Sequence, residues 1–177
     1  RLIFHPRIMP VAVIADPALA GAHYELAQLA LNEGNVREAE QGLERVIELA
    51  PRQEQAYLDL AKLYERTHAS ERAEATYLAL LNIDGGHPEA LYRLAGLADI
   101  RGDSEIPQGY LNRLLRLRPD HADAWYLQGR IAEKNNQLTE AAASYREALR
   151  AKPDLIDARF NLAFILRSQG KSAEAAR

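Results

Sequence analysis

The chain of 177 residues contains no cysteine, one methionine and one tryptophan, and aromatic residues make up only 7% of it. The absence of cysteine excludes disulfides, thiolate nucleophiles and cysteine metal sites. It does not indicate a compartment, so secreted, periplasmic and cytosolic locations all stay open.

An excess of either charge is also lacking. The chain has 22 Lys and Arg residues against 25 Asp and Glu residues, a net charge of −3, and no block of basic residues. Because the charges alternate in sign along the chain, the sequence predicts no nucleic-acid partner. The apolar N-terminal stretch is too short to span a bilayer, so no membrane insertion is predicted either.

Patterns typical of catalysis and metal binding are missing as well. No two of the five histidines have the i, i+4 spacing of a helical metal site. No serine or cysteine nucleophile with a matching base can be assembled from the spacing, and Asp84-Gly85-Gly86-His87 is too poor in glycine for a phosphate loop. We therefore predict no catalytic residue, no metal site and no cofactor, and the chain is not predicted to be an enzyme.

The sequence does contain a repeat of 34 residues. Turn residues recur at this interval at Pro51, Gly85, Pro119 and Pro153. Placing them at position 32 of each repeat gives four full repeats and a fifth that reaches Arg177, starting at Ala20, Glu54, Pro88, Ala122 and Ile156. A fixed period of this length predicts a stack of similar units rather than one closed globule.

Residue size also recurs along the repeat. Position 3 is alanine in all five repeats: Ala22, Ala56, Ala90, Ala124 and Ala158. Apolar residues near positions 3, 7 and 10 follow a helical period, which predicts an amphipathic helix A of about fourteen residues. Small residues at position 8 of helix A and position 20 of a second helix, B, predict close antiparallel packing of the pair.

The turn between the two helices is marked at position 15. Gly or Asn stands there in four repeats, and both tolerate the left-handed conformation that commonly ends a helix. His68 is the exception, so a strained or reshaped turn is expected in the second repeat. Pro107 replaces the usual small residue at the start of one helix B, where a missing amide is tolerated, and predicts a shifted helix start.

These landmarks resemble the tetratricopeptide repeat family. The fourth repeat is the most similar, with small, aromatic and proline landmarks at Trp125, Gly129, Ala141, Tyr145 and Pro153. The resemblance extends over residues 20–177 and implies an all-α, right-handed α-solenoid of antiparallel helix pairs, about four and a half repeats long. Departures from the family pattern include Gln128 in place of Leu and Arg159 in place of an aromatic residue.

Residues 1–19 lie outside the repeat. Pro6, Pro10 and the β-branched run Val11–Ala15 make a long helix unfavourable, so we expect an extended N-terminal flank packed on the first repeat, or a linker. Because Asp16-Pro17 falls where a preceding repeat would end, residues 11–17 are alternatively the remnant of a helix B. The end of the chain in mid-repeat suggests a piece of a longer polypeptide.

The resemblance also implies where a partner binds. In this family, positions 2, 5, 6, 9, 12 and 13 of the A helices line a concave groove. Position 5 here gives a mostly aromatic column of Tyr24, Leu58, Tyr92, Tyr126 and Phe160. The predicted peptide-binding residues are Tyr24, Gln28, Asp59, Lys62, Tyr92, Arg93, Tyr126, Arg130, Phe160 and Asn161. Rigid aromatic side chains suit an extended or helical peptide, although each of them can instead serve only as packing between repeats.

Three functions remain open from the sequence. The first is a protein–protein interaction scaffold that binds a peptide or a partner's helix in the concave groove. The second is a regulatory or substrate-recruiting arm of a larger glycosyl- or sulfotransferase-like enzyme. The third is a structural protein that self-associates through its open C-terminal repeat.

Overall fold

The computed structural model describes residues 20–103 and 105–170, and nine α-helices span most of them. The predicted N-terminal flank and position 20 of the fifth repeat, Ala175, lie outside the described residues. In chain order the helices are α1 Ala20–Glu33, α2 Val36–Leu49, α3 Glu54–Arg66, α4 Ser70–Ile83, α5 Pro88–Arg101, α6 Ile106–Leu117, α7 Ala122–Lys134, α8 Leu138–Ala151 and α9 Ile156–Ser168.

The chain divides into two compact units whose boundary lies between Gly85 and Gly86. In unit 1, α1 pairs with α2 and α3 with α4, and α2 packs against α3. In unit 2, α5 pairs with α6 and α7 with α8, while α9 packs against α8. The predicted all-α class built from helix pairs is therefore confirmed within each unit.

Helix starts follow the repeat. The A helices α1, α3, α5, α7 and α9 begin 34 residues apart, at the first position of each repeat. Four of the five position-3 alanines are completely buried, namely Ala56, Ala90, Ala124 and Ala158, and Ala22 is half-buried. Because a methyl group at these positions lets the paired helices approach closely, the recurrence of alanine has a packing cause.

The residues at position 15 have left-handed backbone conformations, as the sequence predicts. Gly34, Gly102 and Gly170 have φ values of 74°, 91° and 75°. Asn136 and His68 adopt the same conformation, each with φ of 59°. His68 thus keeps the turn of its neighbours, and its Cβ carries the strain that glycine avoids.

Helix α6 starts late. The other described B helices begin at position 17 of their repeats, whereas α6 begins at Ile106, which is position 19. Pro107 occupies the first turn of α6 and is buried there. The expected shift of the helix start is confirmed, because proline lacks the amide that a preceding turn of helix would need.

Two kinds of side-chain hydrogen bond stabilise the corners that lead into the A helices. The His87 and His121 rings cap α5 and α7, since their Nδ1 atoms accept from the amides of Ala90 and Ala124 at 3.3 and 3.2 Å. At the proline corners, the side chain at position 4 donates to the proline carbonyl six residues earlier. These donors are Tyr57 to Pro51, Trp125 to Pro119 and Arg159 to Pro153. Arg159 therefore replaces the aromatic residue of the family pattern without loss of the corner bond.

Candidate functional site

The predicted binding residues lie on A helices in both units. The unit 1 surface consists of Tyr24 and Gln28 on α1 with Asp59 and Lys62 on α3. The unit 2 surface consists of Tyr92 and Arg93 on α5, Tyr126 and Arg130 on α7, and Phe160 and Asn161 on α9. The two surfaces differ in how much of their hydrogen-bonding capacity is already used.

On the unit 1 surface, polar side chains bond to one another. The Asp59 carboxylate accepts three hydrogen bonds, from the Tyr24 hydroxyl and the Gln28 amide at 2.7 Å each and from the Gln55 amide at 2.9 Å. Burial, followed by the hydrogen bond to Asp59, raises the pKa of the Tyr24 hydroxyl above its ordinary value. This network joins α1 to α3 and leaves the Asp59 carboxylate little capacity for a ligand.

The middle of the unit 1 surface offers little apolar area. Leu58, the member of the position-5 column that comes from α3, is buried. Lys62 is half-buried and is engaged in an interaction of its own. A ligand on this side of unit 1 would therefore meet the rim of a polar network rather than an open apolar groove.

On the unit 2 surface, Tyr92 is half-buried against the corner before α7. Its ring centroid lies 5.7 Å from that of His121, with the two planes tilted by 30°. Burial, and then the negative charge of Asp123, raises the pKa of the Tyr92 hydroxyl. Arg93 forms an ion pair with Glu89 one turn earlier, at 2.9 Å. The Tyr92 ring is thus fixed by its contact with His121, and its exposed part is bordered by charges of both signs.

Tyr126 and Asn161 are joined to the core through Tyr145. The ring centroids of Tyr126 and Tyr145 are 5.8 Å apart. The buried Tyr145 hydroxyl donates to Glu133 at 2.7 Å and accepts from the Asn161 amide at 3.2 Å. Burial, followed by the hydrogen bond to Glu133, raises the pKa of the Tyr145 hydroxyl. The Asn161 amide therefore connects α9 to α8.

The most accessible apolar face of unit 2 lies on α9. Ile156, Phe160 and Phe164 follow one another at intervals of four residues, and 76%, 71% and 63% of their respective surfaces are exposed. Side chains at this spacing share one helix face. Phe160 and Phe164 hold positions 5 and 9, which the family resemblance assigns to the groove. The sequence analysis did not single out Ile156, and its i, i+4 spacing to Phe160 was the available signal.

Arg130 adds an available positive charge to this surface. It is exposed on α7 and forms no ion pair with any residue within the described ranges 20–103 and 105–170. Lys134, one turn later, is committed to Asp99 on α5, with its ammonium 2.8 Å from the carboxylate. Of these two cations on α7, only Arg130 is available to pair with an incoming carboxylate.

Two other kinds of site are absent from the described residues. No group of three or more His, Asp or Glu side chains in that part of the chain could hold a metal ion. No helix among those residues is both long enough and apolar enough to cross a bilayer.

Comparison with known sequences identifies one repeat family. A sequence model described as tetratricopeptide repeat matches residues 24–88 and 101–156. Human protein O-mannosyl-transferase TMTC3 is 25% identical over 178 residues, a match that covers 96% of this chain and 20% of TMTC3. The chain spans between 19% and 27% of the length of the curated relatives it matches.

Solved structures with a similar fold are also repeat proteins. MamA from Desulfovibrio magneticus superposes with a TM-score of 0.77 at 19% identity, covering 89% of each chain. YrrB, described as a TPR protein with an unusual peptide-binding site, gives a TM-score of 0.75 at 17% identity, over 94% of this chain and 86% of YrrB. At these identities the likeness shows the shared fold alone.

Proposed function

Because this chain belongs to the tetratricopeptide repeat family, we propose that it is a protein–protein interaction scaffold that binds a peptide or a partner's helix on its A helices. The observation that carries the proposal is the exposed apolar face of α9, where Phe160 and Phe164 occupy groove positions. Large apolar side chains exposed in a row on one helix favour a binding surface. YrrB is described as having a peptide-binding site, which supports the same proposal.

The chemistry of the unit 2 surface favours a particular class of ligand. Phe160 and Phe164 suit apolar side chains spaced one helical turn apart, and Arg130 suits a carboxylate. Burial of each phenylalanine contributes about 1.5–3 kcal/mol, and ordering a flexible peptide costs about 2–5 kcal/mol. With the tyrosines adding contact area, the net stabilisation is a few kcal/mol, so we expect a weak, exchangeable ligand with a Kd between about 1 μM and about 1 mM.

The test is a matched pair of variants of the full chain. Peptides are first selected from a displayed random library, and their Kd values are measured by fluorescence anisotropy. Phe160→Ala/Phe164→Ala is expected to weaken binding at least tenfold, because a loss of about 1.4 kcal/mol already changes Kd tenfold. Leu117→Ala, which truncates an exposed apolar residue on the B helix α6, serves as the control and should leave Kd unchanged. Equal Kd values for the wild type and the double variant would contradict the proposed surface.

The unit 1 surface is proposed to play a supporting role. Tyr24, Gln28 and Asp59 already bond to one another, so a peptide would contact their outer edges rather than replace those bonds. We expect these residues to align the backbone of a ligand, since breaking the Asp59 network would cost more than a new hydrogen bond returns.

A second candidate is that the array recruits substrates for a larger enzyme. The match to TMTC3, a protein O-mannosyl-transferase, supports it, because the matched part is only 20% of that protein. In this case the array itself binds and does not catalyse, and a glycosyl- or sulfotransferase-like domain would lie elsewhere in the polypeptide. Sequencing the full gene tests this candidate, and an open reading frame without such a domain would contradict it.

Self-association is a third candidate, favoured by the exposure of Ile156, Phe160 and Phe164. If α9 of one copy packs on a second copy, sedimentation equilibrium should show a dimer whose fraction grows with protein concentration. Ile156→Ser/Phe160→Ser is then expected to raise the dimer dissociation constant at least tenfold, because two apolar contacts of about 1.5–3 kcal/mol each are lost. A wild-type chain that stays monomeric at every concentration would exclude this candidate.

A further inference from the structure

The first hairpin of unit 1 has an open groove on one side. The groove lies between α1 and α2 and has a volume of about 460 Å³. Its apolar floor includes Leu26, Leu29 and Ala30, and its rim includes Glu33, Glu38 and Gln41. It is thus an apolar slot whose rim carries two carboxylates, Glu33 and Glu38, and the guanidinium of Arg45.

Helix α3 packs on a different side of this hairpin. Asp59 of α3 bonds to Tyr24 and Gln28 on α1, and the Tyr64 hydroxyl lies 3.3 and 3.2 Å from Glu40 and Glu44 on α2. None of these four α1 and α2 residues lines the groove. The groove is therefore left open by the packing within unit 1.

The second hairpin shows what normally covers such a groove. Leu63 on α3 occupies the same repeat position as Leu29 on α1. Leu63 is only 2% exposed and packs with Ala30 and Ala39 of the preceding hairpin, whereas Leu29 is 37% exposed. Leu29 lacks the cover that a preceding helix B gives Leu63. The groove therefore has the shape and apolar character of a site for one more segment.

The segment that directly precedes α1 has matching chemistry. Val11–Ala15 is an apolar run, and Pro17 stands 34 residues before Pro51, so Val13 holds the repeat position of Ile47 and Leu81 on the B helices α2 and α4. Residues 1–19 carry Arg1 and Arg7 and one acidic residue, Asp16, which follows the apolar run.

The acidic rim offers partners for these arginines. Among the residues that the structure describes, Glu33 and Glu38 form no ion pair, and Arg45 is already paired with Glu48 at 2.8 Å. The rim thus has two carboxylates available for a cationic segment.

The connection is long enough. Val13 lies seven positions before Ala20, and an extended chain spans about 3.3–3.6 Å per residue, which gives about 23–25 Å. Leu29 lies nine residues into α1, which corresponds to about 14 Å along the helix axis. Val13 can therefore reach any part of the groove without unwinding α1.

We propose that residues 1–19 dock onto their own first hairpin, with Val11–Ala15 in the groove between α1 and α2 and the arginines near Glu33 and Glu38. The segment covers Leu29 in the way that α2 covers Leu63. The occupant is thus a segment of the same chain and closes this side of unit 1.

Cysteine trapping in the full chain tests the proposal, because the native sequence has no cysteine that could interfere. Val13→Cys is combined with Gln41→Cys at the rim, and Ala15→Cys/Glu38→Cys provides a second pair. The control pair is Val13→Cys/Ala75→Cys, since Ala75 is exposed on α4 at the same repeat position as Gln41. Docking should make at least one groove pair form an intramolecular disulfide at least about tenfold faster than the control, because the two thiols are held close together.

The other outcomes overturn the proposal. Disulfides that form only between chains, seen as a dimer on a non-reducing gel, would assign the groove to a second copy. Rates equal to those of the control pair for both groove pairs would show that the segment does not occupy the groove.

Hydrogen exchange in a variant without cysteine gives a second test, which does not depend on how the cysteine substitutions affect folding. In Val11→Asp/Val13→Asp, two charges would have to be buried in the groove, so hydrogen exchange in α1 should accelerate about tenfold or more while exchange in α7 stays unchanged. Unchanged protection of α1 in this variant would also contradict docking.

Discussion

Gly129→Ala is expected to lower the free energy of unfolding by about 1–2 kcal/mol, although alanine is the better helix former by about 1 kcal/mol. A Cβ atom built on Gly129 would lie 2.6 Å from Cε1 and 2.7 Å from Cδ1 of Tyr145. Those ring atoms are completely buried, and the hydroxyl at the end of the ring is bonded to Glu133 and Asn161. The ring therefore cannot move aside without breaking these bonds, and the overpacking costs more than the helix propensity returns.

The sequence alone points the other way. In the other four repeats, position 8 is alanine, so replacing Gly129 with alanine would look like a return to the common residue. Only the position of the Tyr145 ring reverses the expected sign of the effect.

The measurement is chemical denaturation of the variant beside Gly96→Ala. Gly96 lies inside α5, and a Cβ atom there would meet no atom within 4 Å, so this control should gain about 0.5–1 kcal/mol. A double-mutant cycle with Tyr145→Leu should show a coupling above about 0.5 kcal/mol, because the removed ring is the group that clashes. If Gly129→Ala stabilised the protein as much as Gly96→Ala does, the steric argument would be wrong.

Tyr145→Phe is expected to lower the free energy of unfolding by about 1–3 kcal/mol. The variant keeps the ring and removes only the hydroxyl, which donates to Glu133 at 2.7 Å and accepts from Asn161 at 3.2 Å. Glu133 and Asn161 each lose a hydrogen bond to the buried hydroxyl oxygen. This loss costs more free energy than burial of a less polar ring returns. Tyr110→Phe on α6 is the control, because Tyr110 forms no side-chain hydrogen bond within the described residues and should change stability little.

The same substitution should change the pH dependence of stability. The folded state raises the pKa of the Tyr145 hydroxyl through burial and the hydrogen bond to Glu133. The stabilisation is therefore fully present below the unfolded-state pKa of about 10 and is lost as the pH rises above it, since the unfolded chain then releases the proton first. Denaturation at about pH 8 and about pH 11 should show a smaller loss for Tyr145→Phe than for the wild type. Equal losses would show that Tyr145 does not contribute to the alkaline destabilisation; Tyr24, Tyr64 and Tyr92, whose pKa values are also raised, would account for what remains.

Much of the local structure could be predicted because its causes are local. Gly102 takes a left-handed turn because the absence of a Cβ makes that conformation inexpensive, and Pro107 delays α6 because it has no amide to donate. Alanine at position 3 indicates a close helix contact in four of the five repeats, as complete burial of Ala56 and Ala158 shows, whereas Ala22 in the first repeat is half-buried. The capping by His87 and His121 was missed, since histidine is not among the residues usually expected at a helix N-cap.

The candidate binding residues could be assigned to helix positions but not to interactions. The position-5 column is mostly aromatic in sequence, and its two members without a polar group differ in burial, since Leu58 is buried while Phe160 is largely exposed. The difference arises from how much of each side chain the neighbouring helices cover, which the repeat period does not encode.

The sequence by itself determined the period, the class of fold and the starts of the helices. These features follow from backbone sterics and from the spacing of small and apolar residues, which act over a few neighbours in the chain. The tertiary structure decided which side chains are already engaged in hydrogen bonds or ion pairs with other side chains. Asp59 receives donors from α1, Asn161 bonds to Tyr145 of α8, and Arg130 forms no ion pair with any described residue. The hydrogen bonds that Asp59 and Asn161 form with other helices join residues about 16 to 35 positions apart. They therefore depend on how the helices pack and not on any local pattern.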